Sequence, residues 1–404
     1  MLPSDLRPSR EIITPVEIGI YDETDLLVKA AIWGPVGSEA VLAQLFPPEI
    51  SLFHDEMDVP TARTEALNFQ HVLQDRGVQV VSIRDQLAQL LPQRQLNRDT
   101  ILNQMIEKAE NTQTRYGRSL SGYGQIIEHL LEEDIRRYGQ DRALVLNQTL
   151  SLLPTLPLGD MIYARDQSNV LLDIRIQSAM KKAIRKPEVA LYEMVYKKMY
   201  GLSQPVVLPR GETFEGGDAY VHKGIVYVGV GVRTSLGGAL HIFRALRPGL
   251  EQHNYRFAIV EDPDPFGRPP EEQMDFMHID TFSGAIGEDQ MVVCVEEAQR
   301  RKIRFVESGE NGNITVRDTG QSFIEHLVTE GNTIIEIPRE EQQNFGANFL
   351  ALDKKSIIMP LNTNGALLKG LQDAGKDVQY VPLEQSTKGY GAAHCMTFQF
   401  KRKN

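Results

Sequence analysis

Apolar and β-branched residues gather at 27–33 and stop at Gly34-Pro35, which predicts a strand closed by a turn. Residues 62–74 then carry apolar positions at helical spacing, Gly77 ends them, and 78–83 alternate in the manner of a strand. The same unit returns twice. Leu73 stands four residues before Gly77, Leu327 four before Gly331 and Leu371 four before Gly375, and each glycine is followed by a β-branched run. In such a unit the leucine closes the helix on the core and the glycine takes the left-handed cap that turns the chain into a strand. A looser relative has Leu246 and Gly249 ahead of a strand at 255–260. Two explanations stay open: glycine caps common to any α/β protein, or a pseudo-symmetric array of β/α modules, which copies near both ends of the chain favour.

Between about 85 and 153 the period changes. Residues 86–91, 101–109, 123–133 and 143–152 are helical in spacing, poor in β-branched residues and rich in Gln, Glu and Arg, and predict a helical insertion. Short strands are expected again at 170–174, 220–230, 291–295, 304–307 and 355–359.

Composition narrows the function. The 404 residues are 41% hydrophobic and 24% charged, as in an ordinary folded protein, and their length admits two or three units or one large α/β domain. A net charge of -11, with basic residues scattered, argues against nucleic acid or an anionic membrane as partner and suits a cationic small molecule. Cys294 and Cys395 are the only cysteines, too few for a disulfide scaffold or a thiolate metal cluster. No run of 18 apolar residues occurs, and the first 20 residues carry charges and prolines rather than a signal sequence, so a cytoplasmic protein is expected.

Chemistry-bearing residues fall into four segments. Met161 to Asp166 includes Tyr163 and Arg165, with Asp160 just before it. Glu215-Gly216-Gly217-Asp218 sets two carboxylates about a double glycine that can bend tightly, and Gly229 to Ser235 follows with Arg233. His278 and Asp280 are two apart, which on a strand puts both on one face. Gly389 to Thr397 is a small-residue run leading to His394 and Cys395. The last three have structural alternatives: an ordinary turn, a core histidine, a buried thiol. Cys294, within an apolar run, fits the buried thiol; Cys395, after glycines and beside His394, is read as presented to a ligand.

In this order, Arg165-Asp166, Glu215-Gly-Gly-Asp218, Gly-Val-Gly-Val-Arg233-Thr-Ser, Met-His278-Ile-Asp280-Thr and His394-Cys395-Met-Thr resemble the guanidine-modifying (pentein) superfamily, most closely the arginine deiminases. The likeness extends to Gly34-Pro35, the segment opening at Phe53 and the stretch Phe345 to Asn348. It implies an α/β fold: a propeller of five ββαβ modules about a pseudo-fivefold axis, with a first module over 1–84, a helical insertion over 85–153, and the remaining modules with the catalytic centre over 154–404. It also implies a hydrolase of a guanidino compound, with L-arginine to L-citrulline and ammonia as the leading reaction. Cys395 would be the nucleophile of a thiouronium-type intermediate, because a guanidinium carbon yields only to a good nucleophile held close. His278 would be general acid and base, Glu215 would orient it, and Asp166 and Asp280 would accept hydrogen bonds from the guanidinium. Tyr163, Arg165 and Asp218 come over as substrate-side residues, and Arg233 and Arg185 as carboxylate clamps. No metal or organic cofactor is implied; the partner is a cationic guanidine, with a homo-oligomer open.

Two departures bear on the substrate. Arginine deiminases typically carry arginine five residues before the cysteine, where this chain has Tyr390, and asparagine where it has Asp160. Lys388 can compensate, or the substrate lacks an α-carboxylate. An amidinotransferase, a hydrolase of agmatine, methylarginine or arginine to ornithine, and a non-catalytic binding member stay as alternatives. The amidinotransferases tend to have Asp-Ala-Ala-Asp in place of Glu215 to Asp218.

Overall fold

Two parallel strands need a crossover between them, and a helix supplies it. The computed structural model describes residues 17–118, 120–199, 204–309, 313–361 and 365–403, and repeats that arrangement along the chain. Leu26–Ile32 pairs in parallel with Gln79–Ser82, Ile225–Val230 with Arg256–Glu261, Gln290–Val293 with Thr333–Glu336, and Ser356–Pro360 with Asp377–Val381. Each first strand also has an antiparallel partner: Phe398–Lys403, Ala219–His222, Ser283–Gly287 and Leu350–Ala351 in turn. A smaller sheet pairs Ser168–Leu171 with Ile174–Gln177, and beyond the helix Lys186–Met199, Val206 bridges Ile176 in parallel. The described strands thus form five sheets of one mixed α/β fold, and Lys302–Ser308 and Ile314–Ser322 widen one of them to five strands.

The leucine and glycine unit governs the crossovers. Gly77, Gly331 and Gly375 take φ of 84, 77 and 72°, and Leu73, Leu327 and Leu371 are fully buried. Around Gly77 and Gly375 a Cβ would meet nothing within 4 Å, so backbone conformation rather than space selects glycine there. The looser fourth copy lies elsewhere than expected. Helix Leu236–His253 runs through Pro248 and Gly249 and stops at Asn254, with φ of 54°, while Leu250, four residues earlier, is buried. Asparagine is the side chain that best tolerates that conformation, so the unit is kept without its glycine.

Two other expectations change. Residues 170–174 are not one strand, because the chain reverses at Leu172, with φ of 57°. Residues 220–230 are likewise a hairpin that turns at Lys223 and Gly224, both at positive φ, a two-residue turn that matches strand twist.

From Ile83 to Leu152 the described residues hold helices Ile83–Leu90, Arg98–Tyr116, Tyr123–Tyr138 and Gln140–Asn147 and a π turn Gln148–Leu152, with no strand. Leu102, Met105, Ile127 and Leu130 pack into one core with Leu27, Ala40 and Phe69. A buried ionic cluster ties them down: Asp134 accepts from Arg84 at 2.7 Å and Arg63 at 2.9 Å, and Asn147 donates to it at 2.9 Å. Residues 1–16, which carry most of the N-terminal segment expected not to be a signal sequence, lie outside the described residues. No described helix is long and apolar enough to cross a membrane.

Removing one member of a buried ion cluster strands its partners in a medium of low dielectric. Asp134→Ala is expected to lower unfolding free energy by about 3–5 kcal/mol in urea titrations; a change below about 1 kcal/mol would mean that the cluster is hydrated.

Candidate active site

The double glycine sits where the backbone meets other groups closely. Gly216–Asp218 is a 3-10 turn leading into strand Ala219–His222. Neither glycine has positive φ; the requirement is space. A Cβ on Gly216 would fall 2.0 Å from the Arg165 carbonyl oxygen, and one on Gly217 would fall 2.6 Å from His278 Nδ1 and 3.0 Å from Asp280 Oδ1. His278 and Asp280 do not lie on a strand as expected. His278 is extended and precedes the 3-10 turn Ile279–Thr281, so the two side chains diverge to different partners while both reach the space over Gly217.

His278 Nε2 is 3.1 Å from Glu215 Oε2, and Nδ1 is 3.6 Å from Asp166 Oδ1 with no hydrogen-bond partner. Burial alone would lower its pKa, but the charge of Asp166 and the bond to Glu215, with Asp218 behind them, push it up to about 9. Burial works against the Glu215 charge as well, yet Arg233 at 3.6 Å and the His278 bond hold that carboxyl well below the usual range. Asp218 lacks such support, and burial pushes it up to about 7, moderated by His278.

Cys395 is buried. Its Sγ accepts from Asn348 Nδ2 at 3.1 Å and lies 3.8 Å from Asp280 Oδ2. Burial, then the charges of Asp280 and Asp166, raise the thiol well above its usual pKa, and the Asn348 bond offsets this only in part. Asn348 also accepts from the backbone N–H of Ala392 and Cys395, at 2.8 and 3.1 Å, and so organises the whole loop. Gly391 faces Tyr163, where a Cβ would come within 2.6 Å of the ring, and the Tyr163 hydroxyl donates to the Ser386 carbonyl. Tyr163 is thus the platform under the Cys395 loop. Cys294, also buried, precedes the helix Val295–Arg300 and joins none of these contacts.

The other expected substrate-side residues divide. Arg185 turns inward while Lys181, Lys182 and Lys186 stay exposed. It donates to Asp166 Oδ2 at 2.7 Å, Glu188 Oε2 at 3.1 Å and the Asp160 carbonyl at 3.2 Å, so its fork already faces acids. Asp160 Oδ2 is 3.5 Å from Arg185 Nε and its Oδ1 has no partner; burial foremost, opposed by Arg185, raises its pKa. Arg233 Nη1 makes no hydrogen bond, while Nη2 points at the sulfurs of Met274 and Met277. Asp218 Oδ1 accepts from the Ile279 N–H at 3.3 Å and thus supports the His278 turn. Arg165 donates to the Ala219 carbonyl at 2.7 Å and lies 3.9 Å from Glu23, contacts with the frame rather than with Asp166. Tyr390, at φ of 67°, sets its ring against His54 and Phe345.

Three participants escaped the sequence reading. Asn348 lies in a stretch quoted only for likeness, and Glu188 and Glu23 carry no local signal, since helix and loop carboxylates are common in any chain.

A sequence profile of arginine deiminases matches residues 51–402. The arginine deiminase of Listeria monocytogenes serotype 4b is 28% identical over 269 residues, 61% of this chain and 62% of that enzyme, so the aligned stretch spans less than two-thirds of its length. That of Borrelia recurrentis is 23% identical over 416 residues, 96% of this chain and 98% of the enzyme. Among solved structures, the amidinotransferase SxtG of Microseira wollei superposes with a TM-score of 0.54 at 15% identity, covering 96% of this chain and 98% of its own. DDAH from Pseudomonas aeruginosa, complexed with citrulline, gives 0.53 at 14% identity, covering 93% of this chain and all of its own. At these identities the two structures speak to the shared fold alone.

The His278 environment sets a pH dependence. Its folded pKa, about 9, lies above the unfolded 6.5, so its contribution to stability is complete below pH 6.5 and is lost as pH rises towards 9. Asp218, raised from 3.8 to about 7, acts in the same sense at lower pH. Thermal melts between pH 6 and 9.5 are expected to fall more steeply for the parent than for His278→Gln; parallel curves would contradict the assigned environment.

Proposed function

The chain belongs to the arginine deiminase family, and from that premise we propose a cysteine-dependent hydrolase that cleaves a C–N bond of a guanidino compound, with L-arginine to L-citrulline and ammonia as the leading reaction. One observation carries the reading: unpartnered acceptor and imidazole atoms converge on one buried place. Asp280 Oδ1 and His278 Nδ1 share the space over Gly217, and Asp166 Oδ1 stands 3.6 Å from that ring nitrogen. A guanidinium is a planar cation with N–H donors in its plane, which is what two such carboxylates lack.

The chemistry follows from the environment of each group. Burial, and after it the Asp280 and Asp166 charges, favour the protonated Cys395 thiol. A bound guanidinium cancels those charges and favours the thiolate beside it. Sγ then adds to the guanidinium carbon, and the tetrahedral adduct collapses as His278 gives a proton to the departing nitrogen, which leaves as ammonia. Water adds to the remaining thiouronium carbon while His278 takes its proton. The C–S bond breaks, and the ureido product leaves with the thiolate restored. Glu215 keeps its bond to Nε2 throughout, which leaves Nδ1 to give and then take the proton. No organic cofactor enters this balance.

The same premise gives the five sheets a reading as ββαβ modules of a pseudo-fivefold propeller, the first over 1–84 and the rest over 154–404, with 85–153 as a helical insertion and the cytoplasm as the place of action. A second substrate reading, a guanidine without an α-carboxylate, is favoured by Arg185, whose donors already face Asp166, Glu188 and Asp160. Arg233, the other clamp named above, has an Nη1 that makes no hydrogen bond and stands 3.6 Å from Glu215.

Incubation with arginine, agmatine, methylarginines and smaller guanidines, resolving citrulline, ornithine, urea and ammonia, tests both readings. Cys395→Ala is expected to lose at least about 10³-fold in kcat. Arg233→Ala is expected to raise KM about tenfold for arginine and much less for guanidines without a carboxylate, while any loss in kcat through Glu215 is shared by both. Absence of turnover on every guanidine, or full activity of Cys395→Ala, would remove the proposal; transfer of the amidino group to an added amine would replace it with a transferase.

A further inference from the structure

Next to the nucleophile lies a polar chain that the reaction above leaves unused. The His394 ring is held at both ends, Nδ1 at 2.7 Å from Asp280 Oδ2 and Nε2 at 2.9 Å from Glu23 Oε1. A neutral imidazole has one N–H, so a carboxylate at each nitrogen calls for two donors and therefore an imidazolium. Burial and the Arg165 charge oppose that form; the bonds to Asp280 and Glu23 outweigh them, and the pKa is raised. Glu23 is itself anchored, accepting from Gln399 at 2.6 Å with Arg402 at 3.7 Å and Arg165 at 3.9 Å. The groups facing the ring are thus Asp280 from its 3-10 turn, Glu23 from the loop before the first strand, Arg165 from the helix Ala164–Gln167, and Arg402, through Glu23, from the last strand. Asp280 Oδ2, which His394 grips, is the same oxygen that stands 3.8 Å from Cys395 Sγ, whereas Asp280 Oδ1 is unpartnered.

We infer that His394 is a positioning residue, kept cationic by Glu23, which fixes Asp280 with Oδ1 turned to the substrate and offsets part of the charge on Oδ2 where it faces the nucleophile. The inference rests on the guanidine-hydrolase reading of the site. Without the imidazolium, Asp280 is free to rotate about χ2, and its full charge bears on the sulfur and disfavours the thiolate.

Glu23→Gln keeps the shape and removes the charge that holds the proton. In that variant His394 is expected to titrate near the ordinary histidine range. kcat/KM is then within a few-fold of the parent at pH 5.5 and falls about tenfold below it by pH 8, while alkylation of Cys395 by iodoacetamide moves to higher pH. His394→Gln is expected to show the tenfold loss at every pH. Should Glu23→Gln not fold, as judged by circular dichroism, Gln399→Leu removes one anchor of Glu23 and is expected to give the same shift in smaller measure. Profiles that superimpose on the parent, or a loss in the glutamate variant that does not depend on pH, would overturn the inference. If the parent turns over no guanidine, the hydrolase reading fails by itself, and the alkylation profile still decides whether His394 governs the thiol.

Discussion

Charge taken out of water has to be matched by charge, and the interior of this protein is arranged around that constraint. Glu23, Asp160, Asp166, Glu188, Glu215, Asp218 and Asp280 are each at most 5% exposed, and the bases that face them are Arg165, Arg185, Arg233, Arg402, His278 and His394. Burial is the first cause that pushes Asp218 up to about 7 and raises Asp160 and Glu188, and the neighbouring arginines and His278 offset it only in part. Buried acids that hold protons in this way make a favourable place for a guanidinium. The thiol of Cys395 responds to the same field, since burial first and then the charges of Asp280 and Asp166 oppose its ionisation.

Such a cluster forms only if backbone segments from distant parts of the chain come very close. That is the role of the glycines at the site, and it differs from the role of those at the helix ends. Gly216 touches the Arg165 carbonyl, Gly217 lies under His278 and Asp280, Gly229 lies against Asp218, and Gly391 lies against Tyr163. Each contact excludes a methyl group. Gly77 and Gly375 have open space around them and are chosen for positive φ. One residue type thus answers two separate physical demands.

Helix ends and crossovers were legible because they depend on neighbours in the chain. Leu73 with Gly77, Leu327 with Gly331 and Leu371 with Gly375 announce a helix, a left-handed cap and a strand within a few residues. The fourth unit was misplaced because Pro248 and Gly249 look like a stop, whereas a buried Leu250 and a tolerant Asn254 carry the helix further. The hairpins at Leu172 and Lys223 were hidden by runs of apolar residues that look continuous when both faces of a strand are buried. Local pattern records what neighbouring residues require of each other and is silent on which face a distant partner covers.

The sequence by itself determined the residue types and order of the candidate site, the α/β character and the helical stretch between 85 and 153. Only the tertiary structure decided how these residues are deployed. It turned Arg185 from an open clamp into a partner of Asp166 and Glu188, set Arg165 against the Ala219 carbonyl, and made Asn348 the organiser of the Cys395 loop. It also brought Glu23, 371 residues away, onto His394. Charge pairing and hydrogen bonding at about 3 Å depend on distance in space, to which separation along the chain gives no guide.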